Sequence, residues 1–198
     1  MKFVLATQNP KKLTEMSAIL SDLGVEVVSE ADLGVKIEVE ETGETFAENS
    51  LLKAKAVMEA TKLPAIADDS GLCVDALNGG PGVYSARFGG EGLDDIGRYR
   101  LLLQMMHGRA DRRAHFHTTI TCAFPNGDVL QDDGEVEGTI AFAPMGENGF
   151  GYDPVFFVPD KRKTFAQLTA EEKAEISHRG KALRAFKETL KNYLAEHQ

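Results

Sequence analysis

Two periods of apolar residues organise this chain. KFVLAT (Lys2–Thr7) is a nearly continuous apolar run, the mark of a strand buried on both faces. Gln8-Asn9-Pro10 turns the chain, and Leu13, Met16, Ile19, Leu20 and Leu23 then recur at helical spacing up to Gly24, a favoured helix stop. VEVVS (Val25–Ser29) predicts a second strand. Strand, loop, helix, strand is the usual opening of an α/β sheet. Thr45 and Glu48 have the T-x-x-E spacing of a capping box and predict a helix through Thr61, with Phe46, Leu51 or Leu52, Ala54 and Met58 on its inner side. Leu63-Pro64 ends that helix and Ala65-Ile66-Ala67 starts another strand. Asp68-Asp69-Ser70-Gly71 then predicts a turn, after which LCVDAL extends again.

Asn78–Gly92 is too rich in glycine for a regular element and reads as a shaped loop. A helix over Asp94–Met106 and a long strand over Arg113–Phe124 follow, and Pro125-Asn126-Gly127-Asp128 predicts a hairpin turn. VLQDDGEVEGTIAFAP supplies the return, with Gly134 and Gly138 expected as bends or bulges. Thr169 and Glu172 form a second capping box, and a terminal helix presents Leu183, Phe186, Leu190 and Leu194 on one side. Strand–helix units first and hairpin strands later predict an α/β fold with a mixed sheet. No repeat, low-complexity tract or linker divides the chain, so residues 1–198 are expected to act as one domain.

Composition narrows the function classes. A chain of 198 residues can bury a sizeable core, as one large domain or two lobes. No run approaches the roughly 18 apolar residues of a membrane span, and the start, MKFVLATQNPKK, lacks the apolar core of a signal peptide. A cytoplasmic protein is expected. Cys73 and Cys122 sit in apolar runs without C-x-x-C spacing, as small buried hydrophobes do. The net charge of −9 argues against a nucleic-acid polymer as partner. It leaves a single nucleotide open, since a small anion needs only a local cluster of cations. Neither G-x-G-x-x-G nor G-x-x-x-x-G-K-[ST] follows the first strand, so dinucleotide and P-loop folds lose their main support.

Several polar segments exceed what connection requires. Thr7, Gln8, Asn9, Pro10, Lys11 and Lys12 stand where a strand meets a helix N-terminus, a place that favours an anion. Glu40, Glu41 and Glu44 precede the capped helix that carries Lys53 and Lys55. Asp68 and Asp69 are adjacent carboxylates, which repel unless a cation, a proton or solvent relieves them. Gly149–Pro154 sets Phe150 and Tyr152 between glycines, suited either to stacking on a base or to anchoring in a core. Ser177-His178-Arg179 suits a helix start, because consecutive helical side chains splay by about 100°.

Together these segments resemble the non-canonical purine nucleoside triphosphate pyrophosphatases, also called inosine triphosphate pyrophosphatases. The resemblance rests on LAT-x-N-x-x-K at the start, EETGETFAENSLLKAKA, AIADDSGL-x-VDAL-x-G-x-PGVYSARF, GFGYDPVFFVP and LTAEEKAEISHRGKAL, and covers essentially the whole chain. It implies two α/β lobes around a central elongated mixed sheet with a deep cleft between them, and a homodimer. It implies Mg²⁺-dependent hydrolysis between the α and β phosphates, giving a monophosphate and pyrophosphate. By position, Asp69 matches the proton acceptor and metal-binding acid, with Glu41 as a second metal ligand and Asp68 beside them. Thr7, Asn9 and Lys12 match the phosphate-side loop, where Gln8, Pro10 and Lys11 replace the smaller residues common in the family. Lys53, Ser70 and Lys173 match further phosphate and metal-shell groups, and Phe150, Gly151, Tyr152, Asp153, His178 and Arg179 match the base pocket. On that reading Arg179 and His178 donate to a carbonyl at purine position 6, and the amino group of adenine would leave them unpaired.

Overall fold

The computed structural model describes residues 1–197. Its strands are β1 (Lys2–Leu5), β2 (Glu26–Ser29), β3 (Ala65–Val74), β4 (Arg113–Ala123), β5 (Val129–Ile140), β6 (Phe156–Val158) and β7 (Lys163–Thr164). They form one open seven-stranded sheet in the order β2-β1-β3-β4-β5-β6-β7. β1 pairs in parallel with β2 and β3, whereas β6 pairs antiparallel with β5 and β7. The expected α/β fold with a mixed sheet is therefore present. The helices are α1 (Pro10–Leu20), α2 (Phe46–Thr61), α3 (Asp95–Met105), α4 (Ala170–Ile176) and α5 (His178–Glu196). Among the described residues, no helix is long and apolar enough to cross a membrane.

Two local expectations change. Asp68-Asp69-Ser70-Gly71 is not a turn, because β3 runs unbroken from Ala65 to Val74. β5 runs from Val129 to Ile140 with Gly134 and Gly138 inside it. Gly138 serves close approach: a Cβ there would lie 2.5 Å from the carbonyl oxygen of Phe157 on β6. The glycine-rich loop contains a six-residue 3-10 segment, Gly82–Arg87. The first capping box is also only half formed. Thr45 Oγ accepts the Glu48 N–H at 3.1 Å, but the Glu48 carboxylate takes the Glu44 N–H at 2.6 Å. At Thr169 both halves are present.

The chain divides into two compact units. The first comprises Met1–Asp69, Thr118–Gly134 and Ala182–Gln198; the second comprises Ser70–His117 and Glu135–Lys181. In the first, Phe3, Leu5 and Ile66 pack with Met16 and Leu20 of α1 and with Leu183, Phe186 and Leu190 of α5. Val4 and Ala65 pack instead with Val57 of α2, and Ala67 with Ala54. That division follows from the two-residue period of a strand, which sends alternate side chains to opposite faces. The α1 face takes Ile66 and the α2 face takes Ala67, so the next two residues, Asp68 and Asp69, continue onto opposite faces. Cys122 is buried in the α1-side core, where desolvation raises its thiol pKa. Cys73 is only half-buried and rises to about 11, through burial and then the nearby Glu135 and Asp75 carboxylates.

The second unit is built on aromatics. Phe116 of β4 lies 4.6 Å from the Phe156 ring and is stacked on Phe165 at 5.7 Å, with Leu72, Leu102, Val155 and Leu168 in the same core. These contacts seat both the Gly149–Pro154 segment and the start of α5 against a rigid base.

Candidate active site

In open α/β sheets ligands bind beyond the carboxyl ends of parallel strands, where successive crossovers go opposite ways. The order β2-β1-β3 places such a point between β1 and β3. A cavity of about 450 Å³ lies there, lined by Thr7, Gln8, Asn9 and Lys12 after β1, Glu30 after β2, Lys53 and Val57 of α2, Ile37 and Val39, and Asp68. Asn9 caps α1, its Oδ1 accepting the N–H of Lys11 at 3.0 Å and that of Lys12 at 3.5 Å. Leu13 donates to the Asn9 carbonyl, and Pro10 has no N–H. The first-turn amides are thus already taken. An anion here is met by side chains, Lys12 and Lys53 above all, rather than by the backbone donors expected at a helix start. Lys11 is exposed and its side chain is not part of the lining.

Each of the paired acids has its own ammonium group. Lys12 Nζ lies 2.8 Å from Asp68 Oδ2, on the α1 side. Lys53 Nζ, from α2, lies 3.3 Å from Asp69 Oδ1 and 2.8 Å from Glu41 Oε1. Their mutual repulsion is thus relieved by geometry and by two lysines, before any metal is considered. Burial opposes the charge on Lys53, yet Asp69, Asp68 and Glu41 outweigh it and its pKa is raised. Asp69 is also raised, chiefly by burial, with Lys53 pulling the other way. A carboxylate so placed is a stronger base than one in water. Lys55, the alternative inward lysine, is exposed.

The residues fit a hard divalent cation. Asp69 Oδ2 is buried with no hydrogen-bond partner among the described residues, and Asp69 and Glu41 converge on a single positive charge. Among the described residues no three His, Cys, Asp or Glu side chains are drawn together as a metal cage. Two carboxylates suffice for Mg²⁺, which completes its shell with water and substrate phosphates.

The second cluster belongs to the second unit. Tyr152 is buried and its hydroxyl donates to the Ser85 carbonyl at 2.6 Å, so it anchors the loop rather than offering a free face. Asp153 is buried too; its Oδ2 accepts from Phe150 N–H at 3.1 Å and from Lys173 Nζ at 2.6 Å. Gly149 has φ +75°, and a Cβ there would collide with Asp153 Oδ2. Only glycine allows this turn. The Phe150 ring is left partly exposed, with Lys173 Nζ at 4.7 Å and the Arg179 guanidinium at 5.6 Å from its centroid. Ser177 Oγ accepts the Gly180 N–H at 3.0 Å and so caps α5. His178 stacks on Phe116 at 4.8 Å, and Ser177, His178 and Arg179 are all at most 6% exposed. A solvated surface does not bury three polar residues in a row.

The structure thus gathers Thr7, Gln8, Asn9, Lys12, Lys53 and Asp68 around one cavity, with Asp69 and Glu41 joined to it through Lys53. It gathers Phe150, Asp153, Lys173, His178 and Arg179 in the second unit, with Gly151 bound to Asp95 at 2.9 Å. Ser70 follows Asp69 on β3 and is half-buried. Sequence reasoning missed Glu30, Ser85 and Asp95. A signal for Glu41 was available: VKIEVEE alternates, and continuing the inward series Val35, Ile37, Val39 reaches an acid.

Comparison with known proteins shows the family of the chain. The Ham1 family model matches residues 3–189. A dITP/XTP pyrophosphatase of Thermus thermophilus is 51% identical over 193 residues, covering 97% of this chain and 93% of that protein. The Escherichia coli protein of the same name is 48% identical over 195 residues, covering 96% and 98%. The solved Ham1 protein of Staphylococcus aureus superimposes with a TM-score of 0.91 at 42% identity, covering 98% of this chain and all of that one. With a family match over nearly its whole length and relatives near half-identical, this chain belongs to the Ham1 family.

Proposed function

We propose that this protein is a dITP/XTP pyrophosphatase, hydrolysing non-canonical purine nucleoside triphosphates, inosine triphosphate included, to the monophosphate and pyrophosphate. Such an enzyme removes deaminated purines from the nucleotide pool before they enter DNA or RNA. The proposal extends to Mg²⁺ dependence, a cytoplasmic site of action and a homodimer. The observation that carries the reading is the Lys53 ammonium held between Asp69 and Glu41 beside a cavity with Lys12. Binding of Mg²⁺ at Asp69 and Glu41 would stabilise charge developing on the phosphates. Lys12 and Lys53 hold the triphosphate and extend that stabilisation. Asp69, buried beside Lys53, accepts a proton from the attacking water. No covalent nucleophile is required. Phe150 supplies a face for the base, Lys173 is steadied by Asp153, and Arg179 and His178 donate to the purine carbonyl.

The test is pyrophosphate release, with and without Mg²⁺, across inosine, xanthosine, deoxyinosine and canonical triphosphates. Turnover of the first three with weak turnover of adenosine triphosphate supports the reading. A preference for modified pyrimidines would move the protein to a related activity, and binding without turnover would make it a sensor.

Two variants follow. Lys12→Ala should raise KM for the triphosphate about tenfold at low salt, the value of a charged hydrogen bond, and less at high ionic strength. An unchanged KM at low salt would return Lys12 to pairing Asp68 alone. Arg179→Ala should erode the preference for inosine over adenosine triphosphate by roughly ten- to a hundredfold in kcat/KM. Equal losses on both substrates would mean that Arg179 binds phosphate instead.

A further inference from the structure

Glu30 is a carboxylate left unused by the phosphate chemistry, yet it is only 5% exposed and lines the same cavity as Lys12 and Asp68. Its Oε2 accepts the backbone N–H of Ile37 at 2.9 Å. Its own carbonyl accepts from Leu33 at 3.1 Å and from Val35 at 3.0 Å. Residues 35–43 have no regular secondary structure, so no sheet ladder fixes their register. They are nonetheless ordered with a two-residue period: Val35, Ile37, Val39 and Glu41 are partly buried, while Lys36, Glu38 and Glu40 are exposed. Lys36, Ile37, Glu38 and Val39 all border the cavity, Ile37 and Val39 from the more buried side. Glu41 stands four residues beyond the anchored amide, in the same inward series, and reaches Lys53 at 2.8 Å.

We propose that Glu30 is a positioning residue, whose carboxylate pins the Ile37 amide, holds 35–41 as the cavity wall and so sets Glu41 against Lys53. A one-residue slip of an extended segment exchanges its two faces, so a single fixed amide decides whether Glu41 or Glu40 points inward. The inference rests on the reading of this cavity as the triphosphate site. Glutamine can supply the same acceptor without the charge; alanine supplies none.

The experiment compares Glu30→Ala, Glu30→Gln and Lys12→Ala by steady-state kinetics and by amide hydrogen exchange of the peptide spanning 35–41. Glu30→Ala should raise KM about tenfold, the scale of one hydrogen bond to a charged group, and lower kcat as well, because Glu41 is one of the two proposed Mg²⁺ ligands. It should also speed exchange across 35–41. Glu30→Gln should stay within about twofold of the parent in KM, with exchange unaltered, because the acceptor remains. If Glu30→Ala lowers the melting temperature but leaves KM and exchange alone, Glu30 only packs and the proposal falls. If glutamine is as damaging as alanine, the acceptor is not what matters and it falls again. An effect of Lys12→Ala without one of Glu30→Ala sinks this inference alone, whereas no effect of either on KM sinks the reading of the cavity.

Discussion

Asp69→Asn is expected to lower kcat by about 10²- to 10⁴-fold, the range for loss of a general base, with KM within about threefold and the fold intact. Asparagine keeps the shape of the side chain and removes its charge and basicity. Glu41 remains 2.8 Å from Lys53, so the substitution leaves the ammonium with a partner. Asp68→Asn is the informative companion. Asp68 lines the cavity and faces α1, where it orients Lys12, whereas Asp69 reaches the cavity only through Lys53. Its loss should therefore fall mainly on KM. Saturating kinetics and thermal melts on the two variants decide the roles. Near-normal turnover by Asp69→Asn removes it from the mechanism, and a larger kcat loss at Asp68 would reverse the assignment.

The elements that carry this site were legible where local chemistry governs them. The helix stop at Gly24, the start at Thr45 and the box at Thr169 depend on neighbours within a turn, and all appear in the structure. Asp68-Asp69-Ser70-Gly71 was misread because turn chemistry and a strand with charged residues look alike from one sequence. What lets a strand carry both acids lies 56 and 16 residues away, in Lys12 and Lys53, each donating to one acid on one face. Burial of His178 and Arg179 was equally invisible, since Phe116 and Phe150 reach them from distant segments. Tyr152 illustrates the converse. Its aromatic ring in a glycine loop suited base stacking or core anchoring alike, and the Ser85 carbonyl, 67 residues away, holds it in the core.

The largest stability effect is expected at Lys173. Asp153 is 3% exposed and its pKa is raised, first by burial, against which Lys173 and the Phe150 N–H work. Lys173→Met strands that carboxylate, and removing one partner of a buried pair costs about 3–5 kcal/mol. The pH dependence has a definite sign. Without Lys173 the Asp153 pKa rises further above its unfolded value of about 3.9. Between those two values the native state keeps a proton that the unfolded chain has released, so stability falls as pH rises through the window. Below it the carboxyl is neutral in both states and the penalty for stranding a charge disappears. The gap between variant and parent in urea unfolding should therefore be wider at pH 8 than at pH 5. Adding Asp153→Asn to Lys173→Met should recover much of the loss at pH 8, because an amide needs no counterion and can still accept from Phe150. A loss that is the same at both pH values, and that the second substitution leaves in place, would mean that Lys173 stabilises through its packing on Phe150 and Phe165 and not through Asp153.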